Sequence, residues 1–536
     1  MEHFDAIIIG AGFAGLYQLH ILRDRLGLKV KVLEKADGVG GTWYWNRYPG
    51  ARCDTESKAY SYYFSKDLYE AWDWSERYPT QPEIERYLNF VCDKLNLRKD
   101  IQFKSEVSDL IYSEKNNIWS IQLKNGNKVS AKYVIAAVGC LSFTNKPEIP
   151  NEKIFNGEIY HTGNWPQKNP TFQNKRVGII GTGSTGIQVI PEVAKIAKKL
   201  TVFQRTPNYS VPAKNHKLTK SDQLNANKEF EKLEQLMLHH RGGHPWTHSN
   251  ISAKDTNEIK RNELYERAWE NGGLSFRDTF SDLSINNESN ETASNFIKEK
   301  IKNIVNDSKT ANLLTNFDHP FGSKRPPIDT NYYETFNRKN VNLIDIRENP
   351  IISFTKNGIQ TSNDEYELDA LILATGFDAL TGTLLNMKIK GRNNITLNEY
   401  WKAGPLTNLG LSIPNFPNLF LITGPGSPAV LTNMPRAIEQ HAEWISDCIK
   451  FMIINENDTI EATQLSAETW IESVYEAVKG NFFLSAKHSW YLGGNIPEKP
   501  KVFIPYAGGL DKYRQICDAV SKSDYNGFVF TKSLNN

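Results

Sequence analysis

The motif Gly10-Ala-Gly12-Phe-Ala-Gly15 follows directly on an apolar run at residues 4–9. Such a run predicts a buried strand, and the apolar spacing over residues 16–26 predicts a helix. A second apolar strand is predicted at residues 29–33. Three glycines between a strand and a helix give the sharp turn of a β-α-β unit, so we expect such a unit at the N-terminus.

The same pattern occurs a second time in the middle of the chain. Gly181-Thr-Gly183-Ser-Thr-Gly186 follows a predicted strand at residues 175–180 and precedes a predicted helix at residues 187–197. In both copies a charged residue lies 24 positions after the first glycine, Glu34 in the first copy and Arg205 in the second. The repeat predicts two domains of one design.

Two hairpin signals extend the repeat. Asn125-Gly126 precedes an apolar strand at residues 133–138, and Asn357-Gly358 precedes another at residues 370–374. The predicted fold class is therefore α/β, with two Rossmann-like dinucleotide-binding domains.

Between the repeats the composition shifts to Lys, Glu, Asn and Leu with helical spacing, for example at residues 224–240 and 295–314. This stretch predicts a helical insertion. The C-terminal part includes a predicted helix at residues 435–454 and is expected to pack back on the first domain. The expected boundaries are 1–145 and 380–536 for the first domain, 150–213 and 321–379 for the second, and 214–320 for the insertion.

The overall composition indicates an ordered globular protein without a strong charge. The 536 residues include 39% hydrophobic residues, and 63 basic against 61 acidic side chains give a net charge of +2. This balance favours neither nucleic acid nor a membrane as a partner. The N-terminus carries no basic segment before its apolar run, and the five cysteines form no closely spaced pair, so a cytoplasmic location is expected.

Four histidines lie close together in the sequence, at positions 239, 240, 244 and 248. Metal ligation by an H-x-x-x-H pattern needs a continuous helix, and Pro245 interrupts one here. No metal site is predicted.

The two glycine turns suit different nucleotides. In each turn the glycines let backbone N–H groups approach a pyrophosphate. Glu34 can accept hydrogen bonds from ribose hydroxyls, so the first site suits FAD or NAD. Arg205 and Thr206 offer a cation and a hydroxyl to a 2′-phosphate, so the second site suits NADP.

The linker between the two units carries a more specific pattern. Residues 155–166 read Phe-Asn-Gly-Glu-Ile-Tyr-His-Thr-Gly-Asn-Trp-Pro. This stretch resembles the F-x-G-x-x-x-H-x-x-x-W-P fingerprint of type I Baeyer–Villiger monooxygenases, the class B flavoproteins that use FAD and NADPH. The five fixed positions are all present: Phe155, Gly157, His161, Trp165 and Pro166. As linker residues they are expected to act as a hinge that senses both nucleotides.

Further segments are similar to the same family. They include residues 40–54, which run from a Gly-Gly-Thr-Trp sequence to Asp54, and residues 324–326, 374–378, 424–435 and 490–495. The resemblance implies that NADPH reduces FAD, that O₂ forms a C4a-peroxyflavin, and that this species attacks a ketone to give an ester or lactone. It implies Arg325 as the catalytic cation and Asp54 as its partner. The two glycine motifs, Glu34, Arg205 and Thr206 are expected to bind the cofactors. The resemblance adds six further cofactor-binding residues: Thr42, Trp43, Asp54, Thr185, Lys324 and Trp490.

Two rival functions are weighed against this one. An N- or S-oxygenating flavin-containing monooxygenase shares both glycine turns but usually lacks the Trp165-Pro166 end of the linker motif. A non-enzymatic NADP-binding sensor would need neither FAD nor Arg325. The expected partners are a small-molecule ketone and O₂, with the chain a monomer or weak homo-oligomer. The loop at residues 428–433 resembles that of relatives acting on aryl or bulky ketones.

Overall fold

Two large sheets, each with a glycine-rich turn, form the centre of the computed structural model, which describes residues 1–532. The strands are β1 Glu2–Ile9, β2 Val30–Leu33, β3 Ile101–Gln102, β4 Val107–Ser113, β5 Ile118–Leu123, β6 Lys128–Ala136, β7 Glu158–His161, β8 Arg176–Ile180, β9 Lys199–Gln204, β10 Val211–Pro212, β11 Ile328–Asp329, β12 Val341–Asp345, β13 Ile351–Phe354, β14 Gly358–Thr361, β15 Glu365–Glu367, β16 Ala370–Leu373, β17 Lys388–Lys390, β18 Leu419–Leu421, β19 Thr459–Ala462 and β20 Phe528–Thr531.

Helices cover the faces of both sheets. The α-helices are α1 Phe13–His20, α2 Thr42–Trp45, α3 Lys66–Glu70, α4 Gln81–Lys94, α5 Ser184–Ala194, α6 Lys220–Lys228, α7 Phe230–His239, α8 Glu258–Asn271, α9 Asn287–Ile304, α10 Ser308–Thr315, α11 Tyr332–Thr335, α12 Gly382–Asn386, α13 Leu397–Tyr400, α14 Met434–Ile454, α15 Gln464–Val478 and α16 Leu510–Lys522.

The first sheet has the strand order β17-β4-β5-β6-β1-β2-β3. Strand β1 runs parallel to both β2 and β6, and its glycine turn leads into α1. Strand β6 pairs with β5 along its first half and with β18 along its second half. Helix α1 begins at Phe13, three residues before the predicted start, because Gly12 already acts as its N-cap.

The second sheet repeats this plan with the parallel order β12-β9-β8-β16-β7. Its strands β16, β8, β9 and β12 correspond to β6, β1, β2 and β3 of the first sheet. Both Asn-Gly pairs lie at hairpin turns, but at different places in the repeat. Asn125-Gly126 leads from β5 directly into β6, whereas Asn357-Gly358 joins β13 to β14, and β15 lies between β14 and β16. The predicted pair of Rossmann-like units is confirmed.

The stretch between the two halves of the second unit is helical, as predicted, but its helices are shorter. The predicted helices at residues 224–240 and 295–314 are each broken in two, at Glu229 and at residues 305–307. The second break arises because Asp307 accepts a hydrogen bond from the Thr310 amide at 2.8 Å and so starts a new helix as its N-cap. At the first break Glu229 has φ −94° and ψ 9°, outside helical geometry.

These inserted helices pack against both units. The buried side chains of Tyr265 in α8 and Ile297 in α9 belong to the same apolar cluster as Val177 in β8. On the other side, Phe230 of α7 stacks on Tyr63, with ring centroids 4.9 Å apart. The insertion is therefore part of the core around the site and not a separate body.

The chain crosses between the two sheets along two segments that lie side by side. Residues 140–145 lead to the second unit and residues 375–380 lead back. They run antiparallel, with backbone hydrogen bonds from Asn145 to Gly376 at 2.9 Å, from Asp378 to Phe143 at 2.8 Å and from Leu380 to Cys140 at 2.8 Å.

Within residues 1–532, the longer helices are not apolar enough to span a bilayer. The five cysteines are all buried and unpaired.

Candidate active site

The first glycine-rich turn excludes any side chain at two positions. Gly10 has φ +104°, and a Cβ there would lie 2.6 Å from the Ala137 carbonyl oxygen. A Cβ on Gly15 would lie 1.8 Å from the carbonyl oxygen of Gly10. Both separations are shorter than carbon can approach oxygen, so the turn is built only with glycine.

The second turn has the same construction. Gly181 has φ +110°, and its Cβ would lie 2.4 Å from the Ala374 carbonyl oxygen, while a Cβ on Gly186 would lie 2.2 Å from the carbonyl oxygen of Gly181. A Cβ on Gly183 would meet no atom within 4 Å. The N-terminus of α5 therefore has open space beside its free backbone N–H groups, which fits a pyrophosphate.

Glu34, at the end of β2, is fixed against the first turn. Its carboxylate accepts hydrogen bonds from the amides of Ala11 and Ala36, both at 2.7 Å. The side chain is buried, and this burial raises the pKa of the Glu34 carboxyl although the two amides act to lower it. The structure thus fixes the carboxylate at the first glycine turn, the position predicted for it.

Arg205, at the corresponding position of the second unit, is exposed and lies among other cations. Burial lowers the pKa of Lys324, and the charge of Arg205 lowers it further, while Asp318 opposes both effects. Arg205 and Lys324 also lower the pKa of His488, after burial. Thr206 donates to Asp318 at 3.3 Å. Sequence reasoning predicted Arg205, Thr206 and Lys324 but missed Asp318 and His488, which carry no motif of their own.

The loop at residues 40–54 lies between the two turns. Gly41 approaches Gly12, so that a Cβ on Gly12 would be 3.3 Å from the Gly41 Cα. Trp43 is buried and donates its indole N–H to the Tyr60 hydroxyl at 3.0 Å, while Thr42 is exposed at the start of α2. The loop therefore packs directly on the first glycine turn.

The same loop also contacts the second unit. The Tyr48 hydroxyl donates to the Gln188 side chain of α5 at 2.7 Å, and it also contacts Thr185. Gly50 has φ +83°, and a Cβ there would lie 2.4 Å from the Gln188 carbonyl oxygen. The loop thus holds the two nucleotide units together beside both predicted pyrophosphate positions.

Asp54, the last residue of this loop, is paired with Arg325. The guanidinium donates from Nε to Oδ2 at 2.6 Å and from Nη2 to Oδ1 at 3.0 Å. Burial acts to lower the pKa of Arg325, but the charge and hydrogen bonds of Asp54 outweigh it and raise the pKa above its ordinary value. Arg325 is therefore a permanent cation. Its Nε and Nη2 form the bidentate pair, and its Nη1 lies outside that pair.

Two further groups lie close to Arg325. Its Nη1 donates to the Val430 carbonyl at 3.4 Å, which brings residues 429–431 to the pair. Tyr491 is buried and interacts electrostatically with Arg325 and Arg277. The sequence predicted its neighbour Trp490 as a cofactor contact, and the two rings lie 4.4 Å apart at the start of one helical turn.

The linker motif lies against the two crossing segments. The His161 Nε2 is 3.3 Å from both the Asn145 carbonyl and the Thr375 hydroxyl, and its Nδ1 accepts from the Gly163 amide at 3.0 Å. The Trp165 amide donates to the Trp45 carbonyl at 3.1 Å. The motif thus touches both crossings and the loop of residues 40–54.

The remaining motif residues are structural neighbours of this contact. Phe155 packs on Phe354 with ring centroids 5.4 Å apart. A Cβ on Gly157 would lie 2.8 Å from the Asp369 carbonyl oxygen, which explains the glycine. Pro166 follows the buried Trp165 and is half-buried.

The histidines at positions 239–248 lie on a helix end and the loop after it. Nitrogen atoms of His240 and His248 and an oxygen of Asp278 lie within 4.8 Å of one another. However, His240 Nδ1 accepts from the Gly242 amide at 2.8 Å, so the neutral ring carries its proton on Nε2, the atom that faces Asp278 at 3.9 Å. A metal on Nε2 would have to displace this proton, and the absence of a metal stays a prediction.

The comparisons with known proteins agree with this geometry. A family model described as FMO-like, flavin-binding monooxygenase-like, matches residues 5–224. A Baeyer–Villiger monooxygenase from Pseudooceanicola batsensis is 41% identical over 529 residues, covering 98% of this chain and 96% of that protein. The chain belongs to the Baeyer–Villiger monooxygenases.

Other relatives of this Baeyer–Villiger monooxygenase extend the comparison. The crystal structure of cyclohexanone monooxygenase from Rhodococcus sp. Phi1 bound to NADP+ matches with a TM-score of 0.97 and 40% identity, covering 99% of this chain and 100% of that one. A phenazine N-monooxygenase from Lysobacter antibioticus is 42% identical over 530 residues, covering 98% of this chain and 97% of that protein.

Family membership confirms the predicted enzyme class, in which a flavin monooxygenase uses FAD and NADPH to convert a ketone to an ester or lactone. The predicted fold is confirmed by the same comparison. The N-oxygenating alternative and the sensor are less well supported, although the name of the phenazine relative shows that proteins of this similarity include an N-oxygenating enzyme.

Proposed function

We propose that this Baeyer–Villiger monooxygenase oxidises a small-molecule ketone with Arg325 as its catalytic cation and Asp54 as the group that orients it. The observation that carries the proposal is the bidentate pair between them, at 2.6 and 3.0 Å, where the loop of residues 40–54 meets residues 429–431. A guanidinium that stays charged at every working pH suits a site where negative charge develops on oxygen.

The residues around the two turns fit the two cofactors. The first turn, with Glu34 and the adjoining Thr42 and Trp43, suits the FAD pyrophosphate and ribose. The second turn, with Thr185, suits the NADP pyrophosphate, and Arg205, Thr206 and Lys324 suit its 2′-phosphate. Bound there, the flavin supplies the activation of O₂ and NADPH supplies the electrons.

The role proposed for Arg325 follows from charge. When the substrate carbonyl is attacked its oxygen becomes negative, and a cation fixed in advance stabilises that charge without reorganising. Asp54 uses both carboxylate oxygens to fix the plane of the guanidinium. The Val430 carbonyl accepts from Nη1 of Arg325 at 3.4 Å, and the buried Tyr491 interacts with the guanidinium electrostatically.

The linker motif is proposed to act as a hinge that changes the relative position of the two nucleotide-binding units, because His161 contacts both crossing segments at once. Trp490, in the C-terminal part of the chain, is proposed to contact the cofactor. The five unpaired cysteines suit a reducing compartment, and we propose a cytoplasmic enzyme that is a monomer or weak homo-oligomer.

The substrate class is proposed to include aryl or bulky ketones, on the strength of the loop at residues 428–433. A panel of cyclic, linear and aryl ketones, scored for ester or lactone by product mass, tests this function. The panel includes phenazine as the probe for N-oxygenation. Ester formation supports the proposal, whereas an N-oxide with no ester from any ketone would overturn it in favour of N-oxygenation.

A further inference from the structure

His244 is a buried imidazole with no hydrogen-bond partner in the described part of the chain. It is fully buried, and neither Nδ1 nor Nε2 has a partner. Buried polar atoms of native proteins are nearly always hydrogen-bonded, and one that is not usually marks the place of a water or a ligand. A phenylalanine would fill the same space without the free-energy cost of burying unpaired polar atoms.

The backbone connects His244 to the same segment that contacts Arg325. The Asn433 amide donates to the Gly242 carbonyl at 2.8 Å, and its side chain donates to the Gly243 carbonyl at 3.1 Å. Three residues before Asn433, the Val430 carbonyl accepts from Arg325. His244 is close enough to Arg325 and Arg277 for both charges, after burial, to lower its pKa well below the usual value.

The state and orientation of the His244 ring are therefore defined. Surrounded by two cations and removed from water, the imidazole is neutral, so it offers one N–H donor and one lone pair. The ring stacks on Trp246 with centroids 4.4 Å apart and planes inclined by 7°. Asn433 adds a buried Oδ1 that also lacks a partner among residues 1–532, while its Nδ2 donates to the carbonyls of Ala59 and Gly243.

We propose that His244 is a specificity-determining residue that hydrogen-bonds a hydroxyl group of the substrate, so that the enzyme selects ketones carrying a hydroxyl. A hydroxyl both donates and accepts, which matches the donor and the lone pair of a neutral imidazole. The inference rests on the proposed function, since it names the substrate class of the site beside Arg325.

The test uses two isosteric pairs of ketones that differ only by hydroxyl or methyl. The pairs are 4-hydroxycyclohexanone with 4-methylcyclohexanone, and 4′-hydroxyacetophenone with 4′-methylacetophenone. For the FAD-loaded enzyme, kcat/KM is measured for each. Binding of the same ketones to the oxidised enzyme with NADP+ is measured by thermal shift, which requires no turnover.

The variants separate hydrogen bonding from packing. His244→Phe keeps a ring that can stack on Trp246, His244→Gln keeps a donor and an acceptor, and His239→Phe changes an exposed histidine five residues earlier. We expect the wild type to prefer the hydroxyl member of at least one pair. His244→Phe should reduce that preference roughly 5- to 150-fold in kcat/KM, His244→Gln should restore part of it, and His239→Phe should leave it unchanged.

The two readouts distinguish the possible failures. The inference is overturned if His244→Phe keeps the wild-type preference for hydroxyl. It is also overturned if the wild type shows no such preference in either pair, by kcat/KM or by thermal shift. In both cases a trapped water would be the partner of His244. Ester formation without hydroxyl preference would retain the proposed function. A hydroxyl preference in binding with no ester from any ketone would contradict the proposed function and retain the binding role of His244.

Discussion

At the scale of single residues, the proposed role of Arg325 predicts where the consumed oxygen goes when its charge is removed. Arg325→Ala should keep FAD and still oxidise NADPH, because hydride transfer depends on geometry more than on this charge. Loss of the cation should cost about 3–4 kcal/mol of transition-state stabilisation, so that ester formation falls roughly 10²-fold or more. The consumed oxygen should then appear as hydrogen peroxide, measured alongside ester and NADPH.

Arg325→Lys is the control for charge alone. A lysine keeps the positive charge but cannot form the two parallel bonds to Asp54, so we expect it to restore little. Ester formation by Arg325→Ala at a near wild-type yield would show that the guanidinium is structural.

The role proposed for Arg205 is the choice between NADPH and NADH. A charge-assisted hydrogen bond to the 2′-phosphate is worth about 1.5–3 kcal/mol, so Arg205→Ala should raise the KM for NADPH roughly 10- to 150-fold. NADH lacks this phosphate, and its KM should hardly change. Steady-state oxidation of both nucleotides by the same preparation provides the comparison. Equal losses with both would contradict the assignment of the second turn to NADP.

At the scale of elements, the two crossing segments are connected through one histidine. His161→Ala removes the contacts to Asn145 and Thr375, and we expect FAD to be retained while flavin reduction slows or NADP(H) binding weakens. Stopped-flow measurement of flavin reduction over a range of NADPH concentrations separates the two effects. His216→Ala, at an exposed histidine, is the control. A His161→Ala protein that loses FAD would indicate a purely structural role.

The short strand pair β10–β11 carries a half-buried carboxyl, that of Asp329, which should make stability depend on pH. Asp329 accepts from Ser210 at 2.8 Å, and burial raises the pKa of its carboxyl to about 7. Since the folded state holds the proton more tightly than the unfolded chain, the free energy of unfolding falls as pH rises from about 4 to about 7, and the loss is complete above that range.

Asp329→Asn removes this ionisation and keeps an acceptor for Ser210. The Tm of Asp329→Asn minus the Tm of the wild type should therefore be larger at pH 8 than at pH 5, because only the wild type loses stability over this range. Thermal melting at both pH values, with the exposed Asp255→Asn as control, measures it. A difference in Tm that is the same at pH 5 and pH 8 would rule out a titrating Asp329.

The elements themselves were largely predictable, and the reason is local. The glycine turns, the flanking strands and the Asn-Gly hairpins each carry a pattern within about 30 residues. Helix breaks were less predictable, because Glu229 is no helix-breaking residue, although the chain leaves helical geometry there just before Phe230 stacks on Tyr63. Asp318, His488 and Tyr491 reach the site only through tertiary structure, so no spacing in the sequence indicated them.

At the scale of the whole molecule, the loop of residues 40–54 sets how closely the two nucleotide units approach. Gly50→Ala would add a Cβ 2.4 Å from the Gln188 carbonyl, so it should destabilise the fold by about 1–3 kcal/mol beyond the cost of its positive φ and should raise the KM for NADPH.

Gly126→Ala is the matched control for Gly50→Ala. Gly126 has φ +89°, close to the +83° of Gly50, but no atom lies within 4 Å of its Cβ position. It should therefore show only the cost of the backbone conformation, about 1–2 kcal/mol. Chemical denaturation and NADPH titration compare the two. Equal losses of stability with an unchanged KM for NADPH would mean that the contact at Gln188 has no effect on the arrangement of the units.

The pairing of β6 with β18 has a consequence for the order in which the protein is made. Strand β18 forms part of the first sheet, yet it lies about 280 residues after β6, beyond the whole second unit. At a synthesis rate of about 5–20 residues per second, β18 is translated roughly 15 to 60 seconds after β6. During that time the second half of β6 presents an open edge at Val134, Ile135 and Ala136, three buried positions of the finished protein. The nascent chain therefore carries an open apolar strand edge while the second unit is being translated, and this is the interval in which a chaperone would be needed.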